Sequence, residues 1–391
     1  MMDEPLYGTP LPHHTPLGPL SPPLSRASTS AQPDAETLRV VGSGQRRSDF
    51  YQRLSHQNGR MFEGLAAARE GADGAVAFSS GMAAISGTML ALLRAGDRVL
   101  VPHEVYGGTS AFVDHDLPRF SIEVERFHSS DLHDLERALE RKPRLVVLES
   151  PVNPTLRLVD LAAATSRCRE HSALTLVDGT FAPPPIQRPL QLGADLVVHS
   201  ATKYYGGHSD VLAGVVLSRH ELLRPIEAFR RRTGAILAPD AAWLLCRSWP
   251  TLDLRLAAQQ SAALELAVRL QRLCDDGELE AVMYPMLPGH PDHELAQRQM
   301  NGGGTLVSFQ VKGGLVRARR VFDELQVIAR AASLGSVESL ASLPSYTTHA
   351  SSSAAAREAA GIPDGLLRIS VGLEGAAVLF ADIEGALRRT R

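Results

Sequence analysis

The sequence predicts an α/β protein that combines a large, doubly wound, mostly parallel sheet domain with a smaller C-terminal α+β domain. Short β-branched runs alternate with helical stretches from about residue 60 to about residue 250, which favours a doubly wound domain. The runs between 144 and 217 are almost continuously apolar, as in strands buried on both faces of a parallel sheet. Beyond about residue 250 long helical segments dominate, and we expect a second domain there.

The large domain, placed at 53–250, is predicted to alternate strands with helices such as MAAISGTMLALLRAG and VDLAAATSRCREHS. We expect Gly96 to end the first of these helices, because glycine readily adopts the left-handed conformation found at helix ends. The predicted strands of this domain are, in chain order, GAVAFSS, DRVLVP, RLVVLES, ALTLVDGTF, ADLVVHS and VLAGVVLS.

The small domain, placed at 251–391, is predicted from two strands and three helices. The strand TLVSFQV is flanked by the helices LRLAAQQSAALELAVRLQRLCDD and LVRARRVFDELQVIARAAS, and the strand LLRISVG precedes the helix AAVLFADIEGALRR. Before the large domain, residues 1 to about 48 are rich in Pro, Ser and His. Composition alone favours a disordered tail for that segment.

Charge and composition exclude several classes of function. A net charge of −3 gives no electrostatic reason to expect nucleic acid or an anionic membrane as a partner. The cysteines 168, 246 and 274 are far apart, so we expect neither a disulfide framework nor a metal site. The apolar runs are far shorter than the roughly 20 residues that span a bilayer, and no signal peptide is evident. These features predict a cytoplasmic protein.

Polar and glycine residues follow five of the predicted strands. Ligands of open α/β sheets bind beyond the carboxyl ends of the strands, so these positions are the expected site. They are Ser80-Gly81-Met82, Tyr106-Gly107-Gly108, Glu149 to Pro154, Asp178 to Phe181, and Ser200 to Lys203.

Lys203 and Asp178 are the most informative of these residues. A lysine after a buried strand either reaches solvent or stands in a site, where its amine can form a Schiff base. The hydroxyls of Ser200 and Thr202, beside it, could hold a phosphate. A buried carboxylate such as Asp178 needs a partner, which is either a helix N-terminus or arginine, or else the protonated nitrogen of a bound ring. Gly81 begins a predicted helix, whose free N–H groups favour an anion.

The run SATKYYGGHSD resembles the lysine region of the Cys/Met-metabolism family of enzymes that use pyridoxal 5′-phosphate (PLP). Further runs in the same order and spacing extend the resemblance over nearly the whole chain: FSSGMAAI, GDRVLVPHEVYGGT, ESPVNPT, SLGSVESLASLPSYTTHA and GIPDGLLRISVGLE. The resemblance implies PLP fold type I, the aspartate-aminotransferase-like fold. It also implies PLP as the cofactor, bound as a Schiff base on Lys203.

The resemblance assigns further roles by position. Lys203 would also move protons, Asp178 would pair with the pyridine nitrogen, and Tyr106 would stack on the ring and take part in proton transfer. Arg368 would bind the substrate α-carboxylate with help from Ser333, and the remaining cofactor ligands would be Gly81, Met82, Asn153, Ser200 and Thr202.

Tyr51 and Arg53 match a Tyr-x-Arg motif that reaches the phosphate in the adjacent subunit. The resemblance therefore implies a homodimer at minimum and a homotetramer as the usual assembly. It also changes the prediction for residues 1–52 from a disordered tail to an intersubunit arm.

The resemblance leaves several reactions open. The first expectation is a carbon–sulfur lyase of the cystathionine γ-lyase type, which releases cysteine, 2-oxobutyrate and ammonia by α,γ-elimination. One alternative is γ-replacement on an activated homoserine, as in cystathionine γ-synthase. Another is cystathionine β-lyase or methionine γ-lyase activity, and a third is a non-catalytic relative of the fold. Glu338 matches an acidic residue that could receive the distal ammonium of cystathionine. This match favours cystathionine γ-lyase or γ-synthase activity.

Three departures from the family pattern bear on the substrate. Ala111 stands where the γ-branch usually has an arginine, and Arg231 with Arg232 could replace that charge from another loop. Gly108 stands where methionine γ-lyases tend to carry a cysteine. The turn after the arm reads His56-Gln57-Asn58 instead of Asn-Pro-Thr.

Overall fold

A computed structural model describes residues 21–43, 49–347, 357 and 361–391. The predicted arm therefore lies partly outside the described residues. Its described part begins with an extended segment and the helix α1 (Ala35–Gly42).

The arm is held against its own subunit. The indole N–H of Trp243 donates to the carbonyl of Pro22 at 2.8 Å, and Asn58 donates to the carbonyl of Pro23 at 2.9 Å. The altered turn has a clear local role, since His56 caps helix α2 (Gln57–Glu70) by accepting the Gly59 N–H at 3.1 Å. The substituted turn thus still starts the helix and also anchors the arm.

A seven-stranded sheet forms the centre of the large domain. Its order is β1-β7-β6-β5-β4-β2-β3, and β2 to β6 run parallel while β7 is antiparallel to both neighbours. The mostly parallel sheet is therefore confirmed. The strands are β1 (Gly74–Phe78), β2 (Arg98–Pro102), β3 (Glu123–Phe127), β4 (Leu145–Glu149), β5 (Leu174–Asp178), β6 (Leu196–His199) and β7 (Gly214–Ser218).

Helices cover both faces of this sheet, as the doubly wound pattern predicts. One apolar cluster joins α3 and α7 to one face, and two others join α2 with α8, and α5 with α6, to the opposite face. The helices of this domain that follow α2 are α3 (Gly81–Leu92), α4 (Gly107–His115), α5 (Leu132–Leu139), α6 (Leu161–Glu170), α7 (His220–Thr233) and α8 (Pro239–Ser248).

A second, five-stranded sheet follows, in the order β10-β11-β12-β9-β8. Its strands are β8 (Leu279–Met283), β9 (Leu306–Val311), β10 (Ala329–Arg330), β11 (Leu340–Ser342) and β12 (Leu366–Ser370). The associated helices are α9 (Leu252–Asp275), α10 (His293–Gln299), α11 (Gly314–Asp323) and α12 (Ala376–Arg389). The predicted boundaries at 53–250 and 251–391 stay a prediction.

Helix α9 touches both halves of the molecule. The Arg255 guanidinium donates to the carbonyl of Tyr204 at 3.0 Å, directly after Lys203. One turn later, the Gln259 amide donates to the carbonyls of Ser336 at 2.7 Å and Val371 at 3.0 Å. A single helix thus fixes loops from both sheets.

The prediction of one long helix over 315–333 is wrong beyond Asp323. The Asp382 carboxylate, from α12, accepts three successive backbone N–H groups, those of Gln326, Val327 and Ile328, at 2.9 Å each. This capture diverts the chain into β10 and leaves Ser333 on a loop. Strands β3, β8, β10 and β11 were absent from the prediction.

Among the residues that the structure describes, no helix is both long and apolar enough to cross a membrane.

Candidate active site

A cavity of about 820 Å³ opens at the carboxyl ends of the parallel strands. It lies where the sequence predicts the site, because parallel strands end at one edge of the sheet. Ten of the thirteen predicted site residues line it: Gly81, Met82, Tyr106, Asn153, Asp178, Ser200, Thr202, Lys203, Ser333 and Arg368.

The N-terminus of α3 and the strand end of β6 meet at one side of the cavity. Ser80 caps α3 by accepting the Ala83 N–H at 3.1 Å. A Cβ on Gly81 would lie 2.8 Å from the Ser200 Cβ, so only glycine allows this close approach. The Thr202 hydroxyl already bonds to the backbone of Ala213 in both directions. Free helix N–H groups and the Ser200 hydroxyl make this corner suited to an anion.

Lys203 projects into the cavity from the turn after β6. Its ammonium donates to the Ser333 hydroxyl at 2.9 Å. Burial, together with the positive charge of Arg368, lowers the pKa of the lysine to about 8. A larger fraction of the amine is therefore neutral, and nucleophilic, near neutral pH than in an ordinary lysine.

We expect the lowered pKa of Lys203 to be visible when the cofactor-free protein is acylated at different pH values. Acylation of Lys203 should rise with pH through a midpoint near 8, because only the deprotonated amine reacts. Lys142 and Lys312, both exposed, serve as internal controls for acylation outside the cavity. Peptide mass spectrometry after brief acylation at a series of pH values measures all three. A Lys203 midpoint equal to that of the controls would contradict this prediction.

Asp178 and Glu149 form a pair of carboxyl groups, of which Glu149 is buried and Asp178 is half-buried. They end adjacent strands and are cross-strand partners in the register of β4 and β5. Asp178 accepts the Thr180 N–H at 3.0 Å. Burial raises the pKa of both groups, and the charge of Asp178 raises that of Glu149 further. Among the described residues, Asp178 has no ion-pair partner within 4 Å, so a cationic group of a ligand would complete it.

Arg368, on β12, is buried with 4% exposure. Its guanidinium donates to the Asn153 side chain at 2.6 Å and to the Ser333 carbonyl at 3.1 Å. It also lies 5.5 Å from the centre of the Phe181 ring. The Nε atom is buried and has no hydrogen-bond partner among the described residues, and such an orphaned charged donor is costly unless a ligand pairs with it. A carboxylate is the ligand that its geometry fits.

Tyr106 stands at the rim of the cavity, 41% exposed, immediately before α4. A Cβ on Gly108 would lie 2.6 Å from the Tyr106 ring and 3.0 Å from the Met82 sulfur. The glycine therefore leaves room for this ring position, which a cysteine there would displace.

Three predicted residues lie outside the cavity. Tyr51 is exposed, and the Arg53 guanidinium lies 5.4 Å from the Tyr51 ring centre and donates to the Arg231 carbonyl. Glu338 is exposed and accepts a hydrogen bond from the Ser336 hydroxyl. Within one subunit, none of the three reaches the site.

The charge missing at Ala111 is not replaced in the described structure. Ala111 is exposed on α4, and Arg231 pairs instead with Glu227 at 2.8 Å. Neither Arg231 nor Arg232 lines the cavity.

Some cavity residues received no role from the sequence. Glu149 is the most significant, and its only signal was its position at a strand end. The others include Thr180, Phe181, Leu212, Ser342, Tyr346 and Thr347.

Together, these groups fit a phosphorylated aldehyde with a basic ring nitrogen. Lys203 supplies a reactive amine, the α3 N-terminus with Ser200 supplies an anion site, and Asp178 supplies a half-buried acid that pairs with no cation among the described residues. PLP has the groups that match these three, and the Arg368 Nε, unpaired among the described residues, could bind the carboxylate of an amino acid.

Comparisons with known proteins agree with this chemistry. A family model described as "Cys/Met metabolism PLP-dependent enzyme" matches residues 12–388. The chain is 42% identical to an L-methionine gamma-lyase of Pseudomonas deceptionensis, over 95% of this chain and 93% of that protein. It is 39% identical to a cystathionine beta-lyase of Lactococcus lactis, over 90% and 92%. The fold matches a crystal structure of cystathionine gamma synthase from Xanthomonas oryzae at a TM-score of 0.89 and 37% identity, covering 97% and 95% of the chains.

Proposed function

Since the chain belongs to the Cys/Met metabolism PLP-dependent enzyme family, we propose that it cleaves a carbon–sulfur bond of an amino acid by α,γ-elimination. With one water molecule, this reaction converts the amino acid to a thiol, 2-oxobutyrate and ammonia. The observation that carries the proposal is the free Nε of buried Arg368 beside Lys203 in one cavity. This pairing supports a carboxylate anchor next to a reactive amine.

The side chains divide the work in the following way. PLP supplies the electron sink that makes removal of protons from the substrate carbons possible. Lys203 holds the cofactor, and its amine, with a pKa near 8, carries protons to and from those carbons. Arg368 binds the α-carboxylate, Asp178 faces the ring nitrogen, and Tyr106 protonates the departing sulfur.

We further propose a substrate with an uncharged side chain, such as the thioether of methionine. Among the described residues, the charged side chains that line the cavity are Glu149, Asp178, Lys203 and Arg368. Three of these have roles toward the cofactor and the α-carboxylate, and Glu149 is treated below. Glu338 lies outside the cavity, so the distal ammonium of cystathionine has no described acidic partner there. The identity to a methionine gamma-lyase supports the same choice.

The second candidate is cystathionine cleavage, the first expectation from the sequence. The presence of Glu338 in its motif and the likeness to a cystathionine gamma synthase favour it. Gamma-replacement on an activated homoserine is a third route through the same cavity.

Offering several substrates to the purified, PLP-loaded protein tests these assignments. We expect 2-oxobutyrate and methanethiol from L-methionine, with kcat/KM about tenfold above that for L-cystathionine, since one unpaired buried charge costs on the order of 1–3 kcal/mol. Pyruvate from cystathionine would instead indicate β-elimination. Cystathionine formed from O-succinylhomoserine and cysteine, as the main product, would overturn the lyase proposal.

The exposed pair Tyr51 and Arg53 is proposed to complete the cavity of a second subunit, which makes a homodimer the functional minimum. Their exposure, and their distance from their own cavity, support this assignment.

A further inference from the structure

Glu149 is a buried carboxyl group whose two oxygens hold two different loops. It is 5% exposed at the end of β4 and lines the cavity. One oxygen accepts the Tyr106 N–H at 2.7 Å, and the other accepts the Asn153 N–H at 3.3 Å. The Tyr106 side chain does not cap the helix that begins after it, and the Glu149 carboxyl group accepts the Tyr106 N–H at that turn.

The pKa of the same carboxyl group depends on the charges around it in the cavity. It is the cross-strand partner of Asp178. Burial, and next the charge of Asp178, raise the pKa of Glu149 to about 8, while Arg368 opposes them. Lys203 lies in the same cavity. A cation paired with Asp178 would remove the second of the two causes, so Glu149 would then ionise more readily.

We propose that Glu149 is a positioning residue that couples the charge at Asp178 to the position of Tyr106. An ionised carboxylate accepts shorter and stronger hydrogen bonds than a neutral acid. When a cationic ring nitrogen pairs with Asp178, Glu149 ionises and tightens its hold on the N–H groups of Tyr106 and Asn153. The Asn153 side chain in turn accepts from Arg368 at 2.6 Å. Binding at the ring nitrogen thereby fixes Tyr106 directly and Arg368 through Asn153.

This inference rests on the proposed function in one respect, because it takes Asp178 to face the cofactor nitrogen. It does not depend on which amino acid is the substrate. A loss of PLP binding, visible as a missing absorption band, would count against the proposed function. The coupling is tested separately, in proteins that do bind PLP.

Amide hydrogen exchange at Tyr106, with and without PLP and without substrate, measures the coupling directly. At neutral pH the raised pKa of Glu149 favours its neutral form until the cation arrives. Loading wild-type protein should slow exchange of this amide about tenfold, as a charge-assisted bond replaces a neutral one. In Glu149→Gln, which keeps the shape but cannot ionise, loading should leave the rate unchanged.

Glu104→Gln is the matched control. Glu104 lies two residues before Tyr106 and supports the same loop through Ser129 and His128, but it does not line the cavity. Its replacement should leave the effect of loading intact. Asp178→Asn provides a second test that leaves Glu149 in place. With the neighbouring charge removed, the Tyr106 amide should be protected before any PLP is added.

Equal loading-dependent protection in wild type and Glu149→Gln would overturn the proposal. So would an unprotected Tyr106 amide in cofactor-free Asp178→Asn.

Discussion

Lys203→Ala is expected to lose covalent cofactor attachment and at least about 10³-fold in turnover, because one side chain supplies both a nucleophile and a general base. The chain offers little to replace it, since Lys142 and Lys312 are its only other lysines. Both are exposed and lie outside the cavity.

Borohydride reduction of the PLP-loaded protein, followed by peptide mass spectrometry, measures the attachment. The label should lie on Lys203 in the wild type and in the control variant Lys312→Ala, and be absent in Lys203→Ala. Loss of activity without loss of fold is checked by circular dichroism. A label on Lys142 or Lys312 in the wild type would refute the assignment.

Arg368→Lys is expected to lower kcat/KM by about 10²- to 10³-fold, mainly through KM. A lysine keeps the positive charge but loses the bidentate fork, and each hydrogen bond to a charged group contributes about 1.5–3 kcal/mol. The buried Nε has no hydrogen-bond partner among the described residues, so we expect the substrate carboxylate to be its partner.

Steady-state kinetics and binding of an unreactive carboxylic amino acid analogue separate KM from turnover. Arg232→Lys, an exposed arginine outside the cavity, should be unaffected. Replacing Arg368 with glutamine should also raise the pKa of Lys203, because the Arg368 charge is one of the causes that lower it. An unchanged KM in Arg368→Lys would exclude Arg368 as the carboxylate anchor.

Most of the fold follows from local sequence pattern, and so does the position of eight cavity-lining residues near strand ends, whereas Ser333 and Arg368 came only from the resemblance to the family. Each of the six predicted strands of the large domain is a β-branched run, and Asp178 and Lys203 follow such runs closely. The edge strand β3 was missed because it carries Glu123, Glu125 and Arg126, as expected of a strand with one solvated face. Sequence alone gives little warning of such a strand.

The remaining errors come from contacts between distant residues. The end of α11 depends on Asp382, about 55 residues away, which no local pattern reveals. Glu149 acts through backbone N–H groups, so the residue types at its partner positions carry no signal. Glu338 matched a motif, but a motif does not say whether a side chain faces its own cavity. Tyr51 lies outside its own cavity, and its role in the adjacent subunit stays a prediction.

The contacts of helix α9 with loops from both sheets limit which chimeras of this enzyme and its relatives would keep an intact site. Arg255 fastens the loop of Lys203 and Gln259 fastens the loop that follows Ser333, and the two grips are one helical turn apart. A chimera that takes its first sheet from one parent and its second from another would inherit mismatched loops unless residues 252–260 and both loops came from the same parent. We therefore expect a chimera with a crossover within this helix to fold but to lose the spacing between the Lys203 amine and the Ser333 hydroxyl.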